Sequence, residues 1–218
     1  MGNIDKIDVE SLQFFGKIVA SVSHEIKNVM AIINEKAGLL KDLTLMAEKG
    51  LPLDPVRIQT VANEVKFQIK RCDTIVKNMN QFAHSADEYS QHVDLETMTG
   101  LMILLSERVA SQMGVTLNLI SSDKSIIIKT NPFLLEFLIW DCLQFTIKRC
   151  ANTGTVNIII EKSDNTVKVK YLLEYGTHNK AESSFPEERT TILMETLSAK
   201  LFLDLENHEL MISMSENI

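Results

Sequence analysis

The chain has 218 residues, of which 45% are apolar and 23% charged, and its formal net charge is −7. This length accommodates one large or two modest domains with buried cores. A nucleic-acid surface needs clustered Lys and Arg, which the sequence does not show, so we expect no nucleic-acid partner. The first ten residues lack an apolar stretch of secretory length, and no apolar run reaches the roughly 18 residues of a membrane span. The sequence therefore predicts a cytoplasmic protein with no membrane partner.

Apolar residues predict two long amphipathic helices. The first extends from about Asp8 to Glu48, where apolar residues recur every three or four positions. Gly50 and Pro52 end it, and the pair Asp54–Pro55 is typical of a helix start, with an N-cap side chain followed by proline at the first helical position. The second apolar stripe continues to Met79. Two such helices joined by a short turn form an antiparallel hairpin whose seam one partner helix does not fully cover, which favours a homodimer and a four-helix bundle.

A polar stretch from His84 to His92 predicts a linker, and a different pattern follows it. We expect a connection and helix over 93–112, strands over 114–120 and 125–129, and an apolar helix from Pro132 to about Arg149. Two strands over 155–162 and 166–173 would flank the turn Ser163-Asp164-Asn165. A helix near 191–200 and strands over 201–205 and 209–214 close the chain. The fold class is α+β: a helical hairpin over residues 1–86, then an α/β sandwich over residues 87–218.

His24 lies off the apolar stripe of the first helix. At 100° per residue it is about 160° from both Val22 and Ile26, so it is expected to face solvent. Glu25 follows it, and Asn28 lies one helical turn further on the same side. A neutral imidazole is a nucleophile for phosphoryl transfer, and a carboxylate beside it can accept the ring proton or hold the tautomer. On position alone, an ordinary surface histidine is the more common interpretation.

The segment Ser23-His24-Glu25-Ile26-Lys27-Asn28 resembles the H-box of sensor histidine kinases. In that family the motif lies on the first helix of a dimeric hairpin, the position that periodicity assigns to it in this chain. The resemblance implies three catalytic residues: His24 as the phosphoacceptor, Glu25 as its acid/base partner and Asn28 as the residue that assists hydrolysis of a partner's phosphoryl group. Val29 departs from the family, in which many members have proline, so the kink that proline introduces is not expected.

The second domain resembles the ATP-binding domain of the same family in the order of its elements, but the motifs that bind nucleotide differ. Trp140 and Gln144 stand where two magnesium-holding asparagines would fall. The segment Glu174-Tyr175-Gly176-Thr177-His178 replaces the Asp-x-Gly-x-Gly loop, and EERTTILMETL, which has no glycine, replaces the second glycine-rich loop. Glycines at such loops permit close backbone approach to phosphate. We therefore expect no ATP binding, with Asp141, Gln144 and Glu174 as surface polar residues and Trp140 in the core.

These observations predict a histidine phosphotransferase of a two-component phosphorelay that moves a phosphoryl group between His24 and receiver-domain aspartates. Its expected partners are response-regulator receiver domains, an upstream histidine kinase and a second copy of the chain. No cofactor is expected on the chain itself, since the Mg²⁺ belongs to the receiver. Two alternatives stay open: an active sensor histidine kinase with a divergent ATP site, and a pseudokinase regulator that carries no phosphate.

The cysteines and the remaining histidines show no spacing typical of metal ligands, so no metal site is expected. The cysteines are instead predicted to be buried thiols. These residues are Cys72, Cys142 and Cys150, and His84, His92, His178 and His208.

Overall fold

A computed structural model describes residues 3–121, 125–163, 165–174 and 185–215. Within these ranges the chain forms five helices and seven strands. The helices are α1 (Asn3–Glu48), α2 (Pro55–His84), α3 (Leu95–Gln112), α4 (Pro132–Arg149) and α5 (Glu188–Thr196). The strands are β1 (Gln91–Asp94), β2 (Thr116–Ile120), β3 (Ile127–Thr130), β4 (Thr155–Ser163), β5 (Thr166–Glu174), β6 (Lys200–Asp204) and β7 (Glu209–Ser215).

The chain divides into two compact units, residues 18–81 and residues 82–218 together with the chain up to Lys17. The division expected from the sequence is a single boundary near residue 86. The start of α1 belongs to the larger unit, where the ring of Phe14 is buried and only 1% exposed. It stacks on Phe137 at 4.5 Å and meets the edge of Phe82 at 5.4 Å. Aromatic contacts of this kind contribute beyond the apolar area that they bury.

The unit of residues 18–81 contains most of the two long helices. Both begin and end close to the predicted positions. The side chain of Asp54 caps α2, since its Oδ1 accepts a hydrogen bond from the Val56 amide at 2.9 Å. Gly50 has a φ of 85°, a conformation that favours glycine, and it follows the last turn of α1. The buried apolar residues of this unit are Ile18, Val22, Val29, Leu43, Val61 and Ile75. The dimeric four-helix bundle stays a prediction.

The larger unit contains a five-stranded mixed sheet with the strand order β2-β4-β5-β7-β6. β2 and β4 are parallel, and the other neighbours are antiparallel. Burial alternates along β4, β5 and β7, so one face of the sheet is fully covered. Helix α4 is buried over almost its whole length, as in a core helix. This is the α+β architecture expected from the sequence.

One strand and one helix differ from the expectation. The segment around Val93, predicted as a connection, forms β1, and β1 pairs antiparallel with β3 in a separate two-stranded sheet. β1 has four residues and begins inside the polar linker, so its sequence shows too short a pattern to indicate a strand. Pairing with β3 supplies the hydrogen bonds that stabilise it. The last helix begins at Glu188, three residues before its expected start. The turn residue Asp164 lies outside the described residues.

Candidate functional site

The structure places His24 on the solvent side of α1, in the middle of a long helix. Its side chain is exposed, whereas Val22 and Val29 on the opposite side of the helix are 7% and 0% exposed. Among the residues that the structure describes, no side chain forms a hydrogen bond or ion pair with His24. The imidazole is therefore accessible from solvent.

Glu25 and Asn28 flank His24 in different environments. Asn28 is exposed and lies one turn after His24, so the two side chains occupy the same ridge of α1. Glu25 is half-buried, since it lies three residues after Val22 and four before Val29 on the buried side. The Glu25 carboxylate therefore lies beside the ridge that His24 occupies, whereas the Asn28 amide lies on that ridge. The imidazole and the amide are therefore the most accessible of the three groups.

The same ridge continues into a groove between α1 and α2. Ile32 and Lys36 follow Asn28 at steps of four residues, so Ile32 is about 12 Å along the helix from His24. The groove has a volume of about 520 Å³ and is lined by Ile32, Lys36, Thr60, Asn63, Glu64, Phe67 and Gln68. The Phe67 ring is 64% exposed at its wall, and Lys36 Nζ lies 2.9 Å from Glu64 Oε2 across it. The hydrogen bond with Glu64 raises the pKa of Lys36.

This groove was not predicted from the sequence. One signal for it is Phe67, a large aromatic residue that lies off the apolar stripe of α2.

In the larger unit, Trp140 and Gln144 stand at the positions of the family's two magnesium-holding asparagines. Trp140 is 7% exposed and packs against Phe14, with Lys17 Nζ 5.3 Å from its ring centre, so the prediction that it lies in the core is confirmed. Its indole has no oxygen to offer a hard cation. The Nε2 atom of Gln144 is buried and has no hydrogen-bond partner. Glu174 is exposed, as expected, and accepts a hydrogen bond from Asn157 at 2.8 Å.

The prediction that Asp141 is a surface residue is wrong, because its side chain is 2% exposed in the core of the larger unit. Arg189 of α5 holds it: the Nε atom lies 3.0 Å from both carboxylate oxygens. The hydroxyl of Thr190 donates a third hydrogen bond to Oδ2 at 3.0 Å. Burial raises the pKa of Asp141, and the bonds from Arg189 oppose that rise. The sequence did not show this pair because its members are 48 residues apart.

The Asp141–Arg189 pair bears on nucleotide binding. A carboxylate of α4 such as Asp141 could serve as a magnesium ligand, but Arg189 already binds it. The segment EERTTILMETL, in place of a glycine-rich loop, is mostly the helix α5, whose backbone amides bond within the helix. Asp141 and α5 therefore offer neither a free carboxylate nor a glycine-rich loop at these two positions. Tyr175, Gly176, Thr177 and His178 lie outside the described residues.

A second carboxyl group, that of Glu136 on α4, is 2% exposed. Its Oε2 lies 2.6 Å from Oγ of Ser85, just after α2, and this Oγ lies 2.7 Å from the Phe82 carbonyl oxygen. Burial raises the pKa of Glu136 to about 8, and the hydrogen bond from Ser85 opposes the rise. Sequence reasoning missed Glu136, since a single acidic residue in an apolar helix has no distinguishing pattern.

Two absences apply to the described part of the chain. No group of three or more His, Cys, Asp and Glu side chains there could hold a metal ion. No helix there is long and apolar enough to cross a membrane. The cysteines are free thiols: Cys142 and Cys150 are buried, whereas Cys72 is only half-buried.

No family model matches the chain, and no curated protein matches it in sequence. Solved structures are similar to it. The catalytic domain of histidine kinase ThkA is 9% identical over 60% of this chain and 99% of that chain, with a TM-score of 0.51. Acinetobacter baumannii histidine kinase AdeS is 13% identical over 89% of this chain and 98% of that one, with a TM-score of 0.48. Histidine kinase ThkA in complex with response regulator protein TrrA is 18% identical over 95% of this chain and 63% of that chain, with a TM-score of 0.48.

The ThkA catalytic domain shows that this chain has a histidine-kinase-like fold. At this level of identity, the similarity concerns the fold alone.

Proposed function

We propose that the chain is a histidine phosphotransferase of a two-component phosphorelay, with His24 as the residue that carries the phosphoryl group. The observation that carries the proposal is the exposed His24 with Glu25 and Asn28 beside it on α1, in a chain with a histidine-kinase-like fold. Its partners would be a receiver domain, an upstream histidine kinase that loads that receiver, and a second copy of the chain. Mg²⁺ would be bound by the receiver.

The transfer step uses the lone pair of an imidazole nitrogen. It attacks the phosphorus of the receiver's aspartyl phosphate, so an N–P bond forms while the P–O bond to the carboxylate breaks, and the electron pair of that bond stays on the receiver. The imidazole gains positive charge as the bond forms. Glu25 would stabilise that charge or accept the ring proton, and Asn28 would position the phosphoryl oxygens or an attacking water. The reverse step returns the group to an aspartate.

The groove between α1 and α2 supports the proposal that the receiver docks on the hairpin. It begins two turns from His24, on the same ridge, and combines an exposed ring with the Lys36–Glu64 ion pair. An aromatic anchor beside charged groups is the arrangement that interfaces use for affinity and register. A receiver seated there would bring its phosphoaspartate to the histidine.

A second apolar face on the two helices supports the proposed homodimer. On α1, Met30 is 55% exposed, and Ile26 and Ile33, one turn before and after it, are half-buried. On α2, Ile69 and Val76 are 49% and 42% exposed. One chain leaves these residues uncovered, and a second hairpin would bury them in a four-helix bundle.

The pair of Asp141 and Arg189 favours a transferase over a working kinase. Arg189 already binds the Asp141 carboxylate, which could otherwise bind magnesium. The segment that replaces the family's second glycine-rich loop forms the helix α5. We infer that the second domain does not use ATP and that His24 receives its phosphoryl group from another protein. The active-kinase alternative predicts self-labelling by ATP. The pseudokinase alternative predicts that replacing His24 leaves the activity intact.

The experiment that tests the proposal is transfer from a radiolabelled, phosphorylated receiver domain. Wild type should acquire label that is stable in base and labile in acid, as expected for a phosphoramidate. The His24→Ala variant should acquire none. Transfer absent from wild type with every receiver of the source genome, or equal in both proteins, would overturn the proposal.

A further inference from the structure

The larger unit contains a cleft of about 710 Å³ that the phosphotransfer chemistry does not use. Four segments form it: the start of α1, residues 85–89 after α2, the start of α4 and the outer side of α5. Its apolar wall consists of Ile7, Phe133, Leu134 and Ile192. At its mouth the ring of Tyr89 is 79% exposed. A cleft of this size accepts a small molecule or two to three side chains of a protein segment.

The charged residues that line the cleft are all acidic. Asp8, Asp87 and Glu88 line it, and none of its lining residues is Lys, Arg or His. Asp87 Oδ2 lies 2.8 Å from Nδ1 of His84. Asp8 and Glu88 are exposed and form no ion pair with any described residue. An apolar wall edged by Asp8 and Glu88, which pair with no described residue, is complementary to a ligand that is both apolar and cationic.

We propose that this cleft docks a basic amphipathic segment of a partner protein. An aliphatic or aromatic side chain of the segment inserts between Phe133 and Ile192, while Lys or Arg side chains on its flanks reach Asp8 and Glu88. Tyr89 offers a ring face to one of these cations. The buried anchor supplies most of the affinity, and the carboxylates select for positive charge and exclude acidic segments and anionic lipid surfaces.

The test uses a fluorescein-labelled amphipathic helical peptide of Lys and Leu, and binding to the full chain is followed by fluorescence anisotropy. A second peptide has the same composition with its leucines spread around the helix, and a third has Glu in place of Lys. We expect the first peptide to bind at least about tenfold more tightly than the second, and the third not to bind.

Two double variants locate the binding. Asp8→Asn with Glu88→Gln should weaken the first peptide about tenfold. Asp42→Asn with Glu206→Gln removes two exposed charges elsewhere and should change its affinity less than twofold. A third variant, Tyr89→Ala, should weaken binding several-fold without affecting the melting temperature, since the ring is on the surface.

Three outcomes would overturn the proposal: equal affinity for the two Lys/Leu peptides, an equal loss in both double variants, or binding of the acidic peptide. The first two would mean that the chain attracts cations through its overall charge. None of these results bears on His24, which the receiver assay tests separately.

Discussion

The Oε2 atom of Glu136 lies 2.6 Å from Oγ of Ser85, and this contact joins the core helix α4 to the residues that follow α2. The Ser85 hydroxyl has one proton but two close oxygen neighbours, Glu136 and the Phe82 carbonyl at 2.7 Å. When Glu136 is ionised, Ser85 donates to its carboxylate; when Glu136 is protonated, it can donate to Ser85 instead, and Ser85 then donates to Phe82, so every group is satisfied. This geometry agrees with the burial that raises the pKa of Glu136 to about 8.

The first prediction concerns the pH dependence of stability. The pKa of Glu136 has its ordinary value of 4.5 in the unfolded chain and is about 8 in the folded chain. Between these values the folded state holds a proton that the unfolded state has lost, so the free energy of unfolding decreases as pH rises from 4.5 to 8. The decrease should be of the order of several kcal/mol. Urea denaturation at a series of pH values measures it.

Glu136→Gln is the matched variant, because its amide still donates to Ser85 but does not titrate. Its pH profile should be flatter than that of wild type over the same range. The exposed Glu206→Gln should retain the wild-type profile. A wild-type profile as flat as that of Glu136→Gln would contradict an elevated pKa at this site.

The second prediction concerns the buried ion pair. Arg189→Met leaves the Asp141 carboxylate in the core with only the Thr190 hydroxyl, so we expect a loss of about 3 to 5 kcal/mol in the free energy of unfolding. Adding Asp141→Leu to that variant should recover part of the loss, since no uncompensated charge remains. Arg57→Met on the exposed side of α2 is the control and should cost less than about 0.5 kcal/mol. An equally small effect of Arg189→Met would show that the pair contributes little.

The third prediction separates transferase from kinase. A nucleotide that bound the folded chain at 100 times its dissociation constant would stabilise it by about 2.7 kcal/mol and raise the melting temperature by several degrees. We expect no shift with millimolar ATP and Mg²⁺ and no self-labelling by ATP. A clear shift accompanied by labelling that requires His24 would favour the active-kinase alternative.

The fourth prediction concerns the groove below His24. Phe67→Ala should slow transfer from a phosphorylated receiver by about tenfold or more, because an exposed anchor is lost. Labelling by a small phosphoryl donor such as phosphoramidate should be unchanged, since that donor needs no docking surface. Phe202→Ala removes another half-exposed ring, in the larger unit, and should leave both rates unchanged. Equal slowing with both donors would indicate damage to the histidine instead of lost docking.

The fifth prediction concerns the second apolar face of the hairpin. Ile69→Glu should convert a dimer into a monomer in sedimentation experiments, because it buries a carboxylate in the proposed four-helix bundle. Phe67 lies on the other side of α2, so the Phe67→Glu variant should remain dimeric. A monomeric wild type would contradict the proposed bundle.

Sequence periodicity predicted the long helices, α4 and most of the strands because their apolar patterns extend over many residues. The Asp54–Pro55 start of α2 was equally predictable, since the cap is a local interaction. Long-range contacts could not be predicted from the sequence. The pairing of β1 with β3, the Asp141–Arg189 ion pair and the Ser85–Glu136 contact each join residues far apart in the chain. Nothing in the neighbourhood of one member indicates the other.

The candidate site divides in the same way. The exposure of His24 and Asn28 follows from helical phase alone, so the sequence was sufficient to predict it. The half-buried position of Glu25 and the groove at Phe67 depend on how α2 lies against α1, which helical phase does not specify. For Asp141 the residue type suggested a surface position, whereas the partner on α5 permits burial.

The most direct measurement of the central claim is the stoichiometry of phosphoryl transfer from a phosphorylated receiver domain to this chain. With receiver in excess, we predict up to one acid-labile phosphoryl group per chain on wild type, located at His24 by mass spectrometry of the peptide that contains it. Purified chain carrying the label should then return it to unphosphorylated receiver. Label on any other residue, or the same stoichiometry in His24→Ala, would contradict the account.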